Sequence, residues 1–136
     1  MLNENDVVKA VCSHLERGGY VIRQRCTTKQ HGIDIIAQKE TGKRLLIEAK
    51  GATSSRDGSA RFGKNFTDNQ VWDRVAKGFY TAVCLHSAHS KSGDRVGLAL
   101  PALQKFKKYL APLRPILRDI GIEVFLVKPD LSVSRI

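Results

Sequence analysis

Cysteines and long apolar runs are both scarce in this 136-residue sequence. Its three cysteines, at positions 12, 26 and 84, are widely spaced and contain no CxxC pair. We therefore expect neither a disulfide framework nor a zinc site, and we expect a reducing, cytoplasmic compartment. No apolar run approaches the roughly 20 residues of a membrane span. The N-terminus lacks the apolar segment of a signal peptide. We therefore expect no membrane partner.

Acidic residues are also few, because 13 Asp and Glu stand against 23 Lys and Arg, for a formal net charge of +10. Such an excess of cations favours a polyanionic partner. Charge by itself does not separate nucleic acid from an anionic surface, and it can be incidental. The length and the 42% hydrophobic content fit a single domain, residues 1–136, with its own core.

Hydrophobic patterning predicts an α/β chain with the element order α-β-β-β-α-β-α-β. The predicted segments are a helix over 4–18, strands over 20–26, 33–37 and 45–50, a helix over 68–86, a strand over 96–100, a helical stretch over 101–120, and a strand over 122–127. This order predicts a mixed central β-sheet flanked by helices.

Two details of the helices can also be predicted. The helix over 68–86 should bury a stripe formed by Trp72, Val75, Phe79 and Val83. Pro101 suits the first turn of the next helical stretch. Pro112 and Pro115 should kink or split that stretch.

Three charged residues interrupt the apolar hairpin formed by segments 33–37 and 45–50. Glu48 and Lys50 are two positions apart in one strand and therefore point to the same face. Asp34, on the other strand, joins them if it lies opposite Glu48, which a turn centred on Thr41 would produce. The alternative is a surface ion pair between Lys50 and either acid on a half-exposed hairpin.

Two carboxylates beside a lysine suit metal-assisted hydrolysis. Carboxylate oxygens are hard ligands that suit Mg²⁺ or Mn²⁺. Such an ion polarises a phosphate and lowers the pKa of a bound water. A neighbouring lysine positions or deprotonates the attacking water and offsets charge on the phosphorus.

The stretch HGIDIIA (31–37), followed thirteen residues after Asp34 by Glu48-Ala49-Lys50-Gly51, resembles the PD-(D/E)xK nuclease superfamily. The first helix, ending at Gly19-Tyr20, is similar to the layout of that superfamily. The resemblance implies a restriction-endonuclease-like core and a Mg²⁺- or Mn²⁺-dependent nuclease, with DNA as the favoured substrate. Position 33, before Asp34, is an isoleucine where many members have a proline.

The resemblance also implies residue roles. Asp34 and Glu48 are expected to bind the metal together with the Ala49 carbonyl, and Lys50 to be the catalytic lysine. Many members add a glutamate from the first helix, and Glu4 is the candidate; alternatively, Glu4 only complements the helix dipole as a first-turn acid.

Glutamine on the helix after the lysine strand is used by several branches of the superfamily, and Gln70 occupies that place. The alternative is structural, because Thr67 to Gln70 also forms an S/T-x-x-E/Q capping box. Both roles are compatible.

Cations near the lysine strand are the candidate contacts to nucleic acid. The segment from Gly51 to Phe66 is predicted to be a long loop with interleaved aromatics, which suits backbone tracking and base stacking. The candidates are Arg56, Arg61 and Lys64 in this loop, and Arg74 and Lys77 on the following helix. His31 could touch a phosphate, although a lone loop histidine usually does not.

No separate base-reading module is apparent in the sequence, so a homodimer or a partner subunit could supply targeting. Two other functions stay open. One is a catalytically inactive nuclease fold that only binds nucleic acid. The other is a protein-interaction domain whose positive charge is incidental.

Overall fold

The computed structural model describes residues 2–26, 32–40, 42–53 and 66–136. The protein is an α/β chain whose element order follows the prediction and adds one strand at the end. Its elements are α1 (Glu4–Arg17), β1 (Val21–Arg25), β2 (Ile35–Gln38), β3 (Arg44–Ala49), α2 (Asp68–His89), β4 (Arg95–Pro101), α3 (Gln104–Leu110), α4 (Arg114–Ile120), β5 (Glu123–Val127) and β6 (Val133–Arg135).

The six strands form one mixed sheet in the order β1-β2-β3-β4-β5-β6. The pairs β1–β2, β2–β3 and β5–β6 are antiparallel, whereas β3–β4 and β4–β5 are parallel. The two parallel pairs are joined through helices, as parallel connections require. At one end of the sheet lie the starts of β1, β3, β4 and β5 together with the ends of β2 and β6.

Side chains alternate between two cores, one on each face of the sheet. In β3, Leu45, Ile47 and Ala49 contact the core beneath α1. In β4, Val96, Leu98 and Leu100 contact the opposite core, beneath α2, α3 and α4. Both faces are covered, which explains why these strands are continuously apolar.

The first helix begins where its sequence predicts. Asn3 is the N-cap, and it forms a reciprocal capping box with Asp6: the Asn3 Oδ1 accepts from the Asp6 N–H at 2.8 Å, and the Asn3 N–H donates to Asp6 Oδ2 at 3.0 Å. Gly18 ends the helix. This boundary places Glu4 in the first turn, a position that matters for the site described below.

For the C-terminal half, one local prediction is wrong, one is confirmed, and one strand was not predicted. Pro101 is not in a helix; it is the last residue of β4 and is paired with Val127. The following helical stretch is split, because a 3₁₀ turn over Ala111–Leu113 separates α3 from α4 near Pro112 and Pro115. The strand β6 was not predicted, because only three residues pair and two of them are exposed.

The predicted buried stripe of α2 is also wrong at Trp72, which is 56% exposed. Val75 is buried as predicted, and Phe79 and Val83 are partly buried against the same core. The fully buried residues of α2 are Val71, Val75, Gly78 and Ala82. Gly78 lets the helix lie close to the sheet, because a Cβ added there would be 3.0 Å from Leu98 Cδ1. The large Trp72 ring lies on the solvent-exposed side of the helix.

No helix among the described residues is long and apolar enough to cross a membrane.

We expect Trp72→Ala to lower the free energy of unfolding by no more than about 1 kcal/mol, because little of the ring is buried. Phe106→Ala is the matched control. Its ring is 1% exposed in the core beneath α2, and its loss should cost about 3–5 kcal/mol. Urea denaturation of both variants makes the comparison, and equal losses would contradict the observed orientation of α2.

Candidate metal centre

The β2–β3 hairpin aligns Asp34 with Glu48. The ladder pairs Ile35 with Ile47 and continues regularly to Gln38 with Arg44. Extending it by one residue places Asp34, immediately before β2, opposite Glu48. This is the register that a turn centred on Thr41 produces, although Thr41 itself lies outside the described residues. Glu48 and Lys50 alternate with Ile47 and Ala49, so they lie on the face that α2 covers.

A backbone hydrogen bond holds the Asp34 carboxylate at the end of β3. The Ala49 N–H donates to Asp34 Oδ2 at 2.9 Å. The next amide, Lys50 N–H, donates the other way, to the Ala99 carbonyl in β4 at 3.0 Å. Since the N–H and C=O of one strand residue point to the same side, the Ala49 carbonyl also faces the side on which Asp34 lies.

Glu4 reaches the same place because α1 begins against the segment that follows β3. The Ala52 N–H donates to the Leu2 carbonyl at 2.7 Å, and Asn3 forms a parallel bridge with Thr53. Gly51 makes this approach possible. A Cβ there would lie 2.2 Å from the Glu4 nitrogen, a distance that side chains do not tolerate.

Three carboxylates therefore converge from three parts of the chain. One oxygen from each of Glu4, Asp34 and Glu48 can be chosen so that all lie within 4.8 Å of one another. Hard oxygen donors at this spacing suit a divalent cation. The structure thus brings together the three acidic residues proposed as metal ligands, including Glu4, for which the sequence left two interpretations open.

Lys50 is the cation beside this cluster. Its Nζ lies 3.2 Å from Glu48 Oε1, and the two side chains are only 14% and 11% exposed. Glu48 as a whole residue is 8% exposed. The ion pair of the alternative interpretation is therefore present, but it is largely buried rather than on a half-exposed surface. The aliphatic part of Lys50 passes α2 at Gly78, where an added Cβ would be 3.3 Å from Lys50 Cγ.

Burial raises the pKa of all three acids, and the negative charge of Asp34 raises those of Glu48 and Glu4 further. Burial, followed by the negative charge of Asp34, raises the pKa of Glu48 to about 7. Burial also raises the pKa of Asp34, against the opposing hydrogen bond from the Ala49 amide. The pKa of Glu4 is raised by burial and then by Asp34. The cluster therefore favours bound protons, or a cation that replaces them.

The remaining predicted site residues on α2 have different environments. The Arg74 guanidinium lies 5.0 Å from the centre of the Phe66 ring, and its charge acts on Glu4. Arg74 therefore borders the acidic cluster. Lys77, in contrast, is 63% exposed and pairs with Asp73 at 3.0 Å.

Gln70 forms the capping box that its sequence also predicts. Its Oε1 accepts from the Thr67 N–H at 2.8 Å, and its own N–H donates to Thr67 Oγ1 at 3.4 Å. The structural role is therefore confirmed. A catalytic role for Gln70 stays a prediction.

Four candidates lie outside the described residues: His31, Arg56, Arg61 and Lys64. The ends of the segment that contains the last three are described, and they meet. The Phe66 N–H donates to the Ala52 carbonyl at 2.8 Å, two residues after Lys50. The described residues Ala52 and Phe66, which flank this segment, are therefore bonded to each other, and Ala52 is also bonded to Leu2 at the start of α1.

Two glycines contribute to the site and were not predicted to do so. Gly51 admits the start of α1, and Gly78 gives room for Lys50. The sequence does carry a signal for Gly51, because a glycine directly follows the lysine of the motif. For Gly78 the only signal is a glycine inside a helix, where it costs about 1 kcal/mol relative to alanine.

Comparisons with models of protein families, with curated proteins and with solved structures found no match. The interpretation of the acidic cluster therefore rests on its own geometry and chemistry.

The raised pKa of Glu48 predicts how stability depends on pH. The folded chain holds a proton up to about pH 7 that the unfolded chain releases near the ordinary value of 4.5. The stability that this proton contributes is present below pH 4.5 and is lost as the pH rises through 7. In metal-free solution, Glu48→Gln should therefore stabilise the fold by about 1–2 kcal/mol at pH 8 and change little at pH 4.

Urea denaturation at both pH values, with EDTA present, measures this difference. Asp73→Asn is the control, since that carboxylate is exposed on α2. An equal effect of Glu48→Gln at pH 4 and pH 8 would contradict the prediction.

The close approach at Gly51 gives a second prediction. In Gly51→Ala the start of α1 must move, which should cost about 1–3 kcal/mol of stability and weaken Mn²⁺ binding by displacing Glu4. In Gly18→Ala, the control, the new Cβ is at an ordinary 3.4 Å from the Leu15 carbonyl. Chemical denaturation and Mn²⁺ titration measure the two effects. Mn²⁺ affinity equal to that of the unaltered chain would exclude a role for Glu4.

Proposed function

We propose that this protein is a metal-dependent nuclease that hydrolyses phosphodiester bonds at the cluster of Glu4, Asp34 and Glu48. The observation that supports it best is the convergence of three buried or half-buried carboxylates within 4.8 Å, with the Lys50 ammonium 3.2 Å from one of them. A metal-supported hydrolytic site needs both kinds of group.

The residues fit a hard divalent ion, Mg²⁺ or Mn²⁺. The donor set is oxygen throughout: one atom each from Glu4, Asp34 and Glu48, with the Ala49 carbonyl facing the same side. If all three acids are ionised, Lys50 offsets one of the three negative charges and two remain. A bound ion would supply Lewis-acid polarisation of a phosphate oxygen and a lower pKa for an attacking water.

The protein groups would hold and orient the reacting atoms. The Ala49 amide fixes the direction of the Asp34 carboxylate, so that this ligand does not have to reorganise. Glu48 holds Lys50 Nζ at the edge of the cluster. From there, the ammonium would donate a hydrogen bond to the attacking water or to a phosphate oxygen and offset the negative charge that develops in the transition state.

A polyanionic substrate is supported by charge. The chain carries a formal net charge of +10, and Arg74 adds a cation beside the cluster. Binding through phosphates makes affinity strongly dependent on salt. The preference for DNA, and the restriction-endonuclease-like version of this α/β fold, follow from the resemblance to the PD-(D/E)xK superfamily and are part of this proposal.

The test is nicking and linearisation of supercoiled plasmid at low salt in Mg²⁺ and in Mn²⁺, with single-stranded DNA, four-way junctions and RNA alongside. We expect cutting that EDTA abolishes. Asp34→Asn, Glu48→Gln and Lys50→Met should each lower the rate by at least about 100-fold, because each removes a ligand or the positioned cation.

The matched controls are Asp73→Asn on α2 and Lys91→Met in the turn after α2, which remove an acid and a lysine of the same kinds from solvent-accessible positions. These should cut at close to the rate of the unaltered chain. Nucleic-acid binding without cutting, unchanged in the three site variants, would instead identify a catalytically inactive binding module. Absence of both binding and cutting would favour a protein-interaction domain.

A further inference from the structure

A polar pocket lies at the end of the sheet opposite the acidic cluster. It has a volume of about 330 Å³ and lies where α1 ends, where β1 begins and where β2 and β6 end. Its polar lining consists of His14, Arg17, Tyr20, Lys39 and Arg135. Its volume falls at the lower end of the range for small-molecule sites, about 300–1,000 Å³.

Three of these side chains are cations, and they come from different elements. Arg17 belongs to the last turn of α1, Lys39 follows β2, and Arg135 ends β6. A basic residue at a helix C-terminus is common, because it complements the helix dipole. That explanation covers Arg17 but not Lys39 or Arg135, which reach the pocket from the sheet.

Contacts with aromatic rings hold two of the cations in place. Lys39 Nζ lies 4.8 Å from the centre of the Tyr20 ring. The Arg135 guanidinium lies 5.1 Å from the centre of the Phe125 ring. Positive groups held in this way lose little further freedom when they bind a ligand.

The charges of the pocket are not balanced by its own lining. Glu123, which is adjacent, accepts two hydrogen bonds from Arg135 and offsets that charge. Arg17 and Lys39 remain, and none of the described residues that line the pocket carries a carboxylate. The pKa of His14 is lowered by burial and then by Arg135 and Arg17, so the positive field reaches the pocket floor. An anion would relieve this repulsion.

We propose that this pocket binds a phosphate group. Phosphate offers several acceptor oxygens and a negative charge to the guanidinium, ammonium and phenol donors that converge there. The phosphate can belong to a nucleotide or to a polynucleotide strand. The 14 residues of α1 span about 20 Å between the pocket and Glu4. The pocket is therefore separate from the acidic cluster, and the proposal does not depend on that cluster being catalytic.

The test measures binding in EDTA, so that no cutting can occur. The probes are inorganic phosphate, thymidine 5′-monophosphate, and a short single-stranded oligonucleotide with and without a 5′-phosphate. We expect the double variant Arg17→Gln/Lys39→Gln to bind the phosphate probes at least about tenfold more weakly than the unaltered chain. The control, Lys91→Gln/Lys107→Gln, removes the same charge from exposed positions elsewhere and should bind normally.

The oligonucleotide pair identifies the source of the phosphate. If pocket-dependent affinity requires the 5′-phosphate, the ligand is a terminal phosphate or nucleotide; if it does not, the ligand is an internal backbone phosphate. Equal weakening in the pocket and control double variants, or no saturable binding of any probe, would overturn the proposal by showing only diffuse electrostatic attraction.

A second readout uses the unaltered chain and so does not rely on the variants folding. Phosphate should shift the ring resonances of His14 in the NMR spectrum and raise its pKa toward 6.5, the ordinary value. Resonances of His14 that stay unchanged as phosphate is added would also contradict the assignment.

Discussion

The contact between Gly51 and the Asn3–Glu4 peptide brings the parts of the acidic cluster together. It joins the end of β3, which carries Glu48 and Lys50, to the start of α1, and an added Cβ would lie 2.2 Å from the Glu4 nitrogen. The hydrogen bond from Ala52 to Leu2 fixes the same contact. Without this approach, the first helix would still bury its apolar face against the sheet, but no contact would hold the Glu4 carboxylate next to the hairpin.

The cluster so formed is costly to the metal-free protein. Burial removes three carboxyls from water and places them within 4.8 Å of one another, while Lys50 and the Ala49 amide supply only part of the compensation. A buried ion pair with a purely structural role would be most stable with one acid for each base. Surplus acid in a buried site is typical of a place where a ligand completes the balance. The arrangement is therefore more easily explained by function than by stability.

Local and periodic signals in the sequence predicted most of the fold and the centre of the site. Strand alternation placed Glu48 and Lys50 on one face, and a turn centred on Thr41 gave the register that the hairpin adopts. The role of Glu4 could not be decided from the sequence, because its position depends on a contact with Gly51, which lies 47 residues later in the chain. The predicted stripe of α2 was wrong at Trp72 because periodicity favoured this large side chain. Packing instead buries Val71 and Gly78, and Gly78 lets the helix approach the sheet.

The two ends of the sheet carry opposite charge, which affects where a phosphate ligand can bind. The overall charge of +10 attracts polyanions to the protein as a whole. The cluster of Glu4, Asp34 and Glu48, however, repels phosphate locally until protons or a cation offset its charge. Under the proposed function, a divalent ion therefore has two roles. It supports hydrolysis, and by offsetting the negative charge at the end of β3 it allows a phosphodiester to bind there. In metal-free protein, phosphate should bind at the pocket that contains Arg17 and Lys39. Metal binding should add a second phosphate position at the acidic cluster, about 20 Å away along α1.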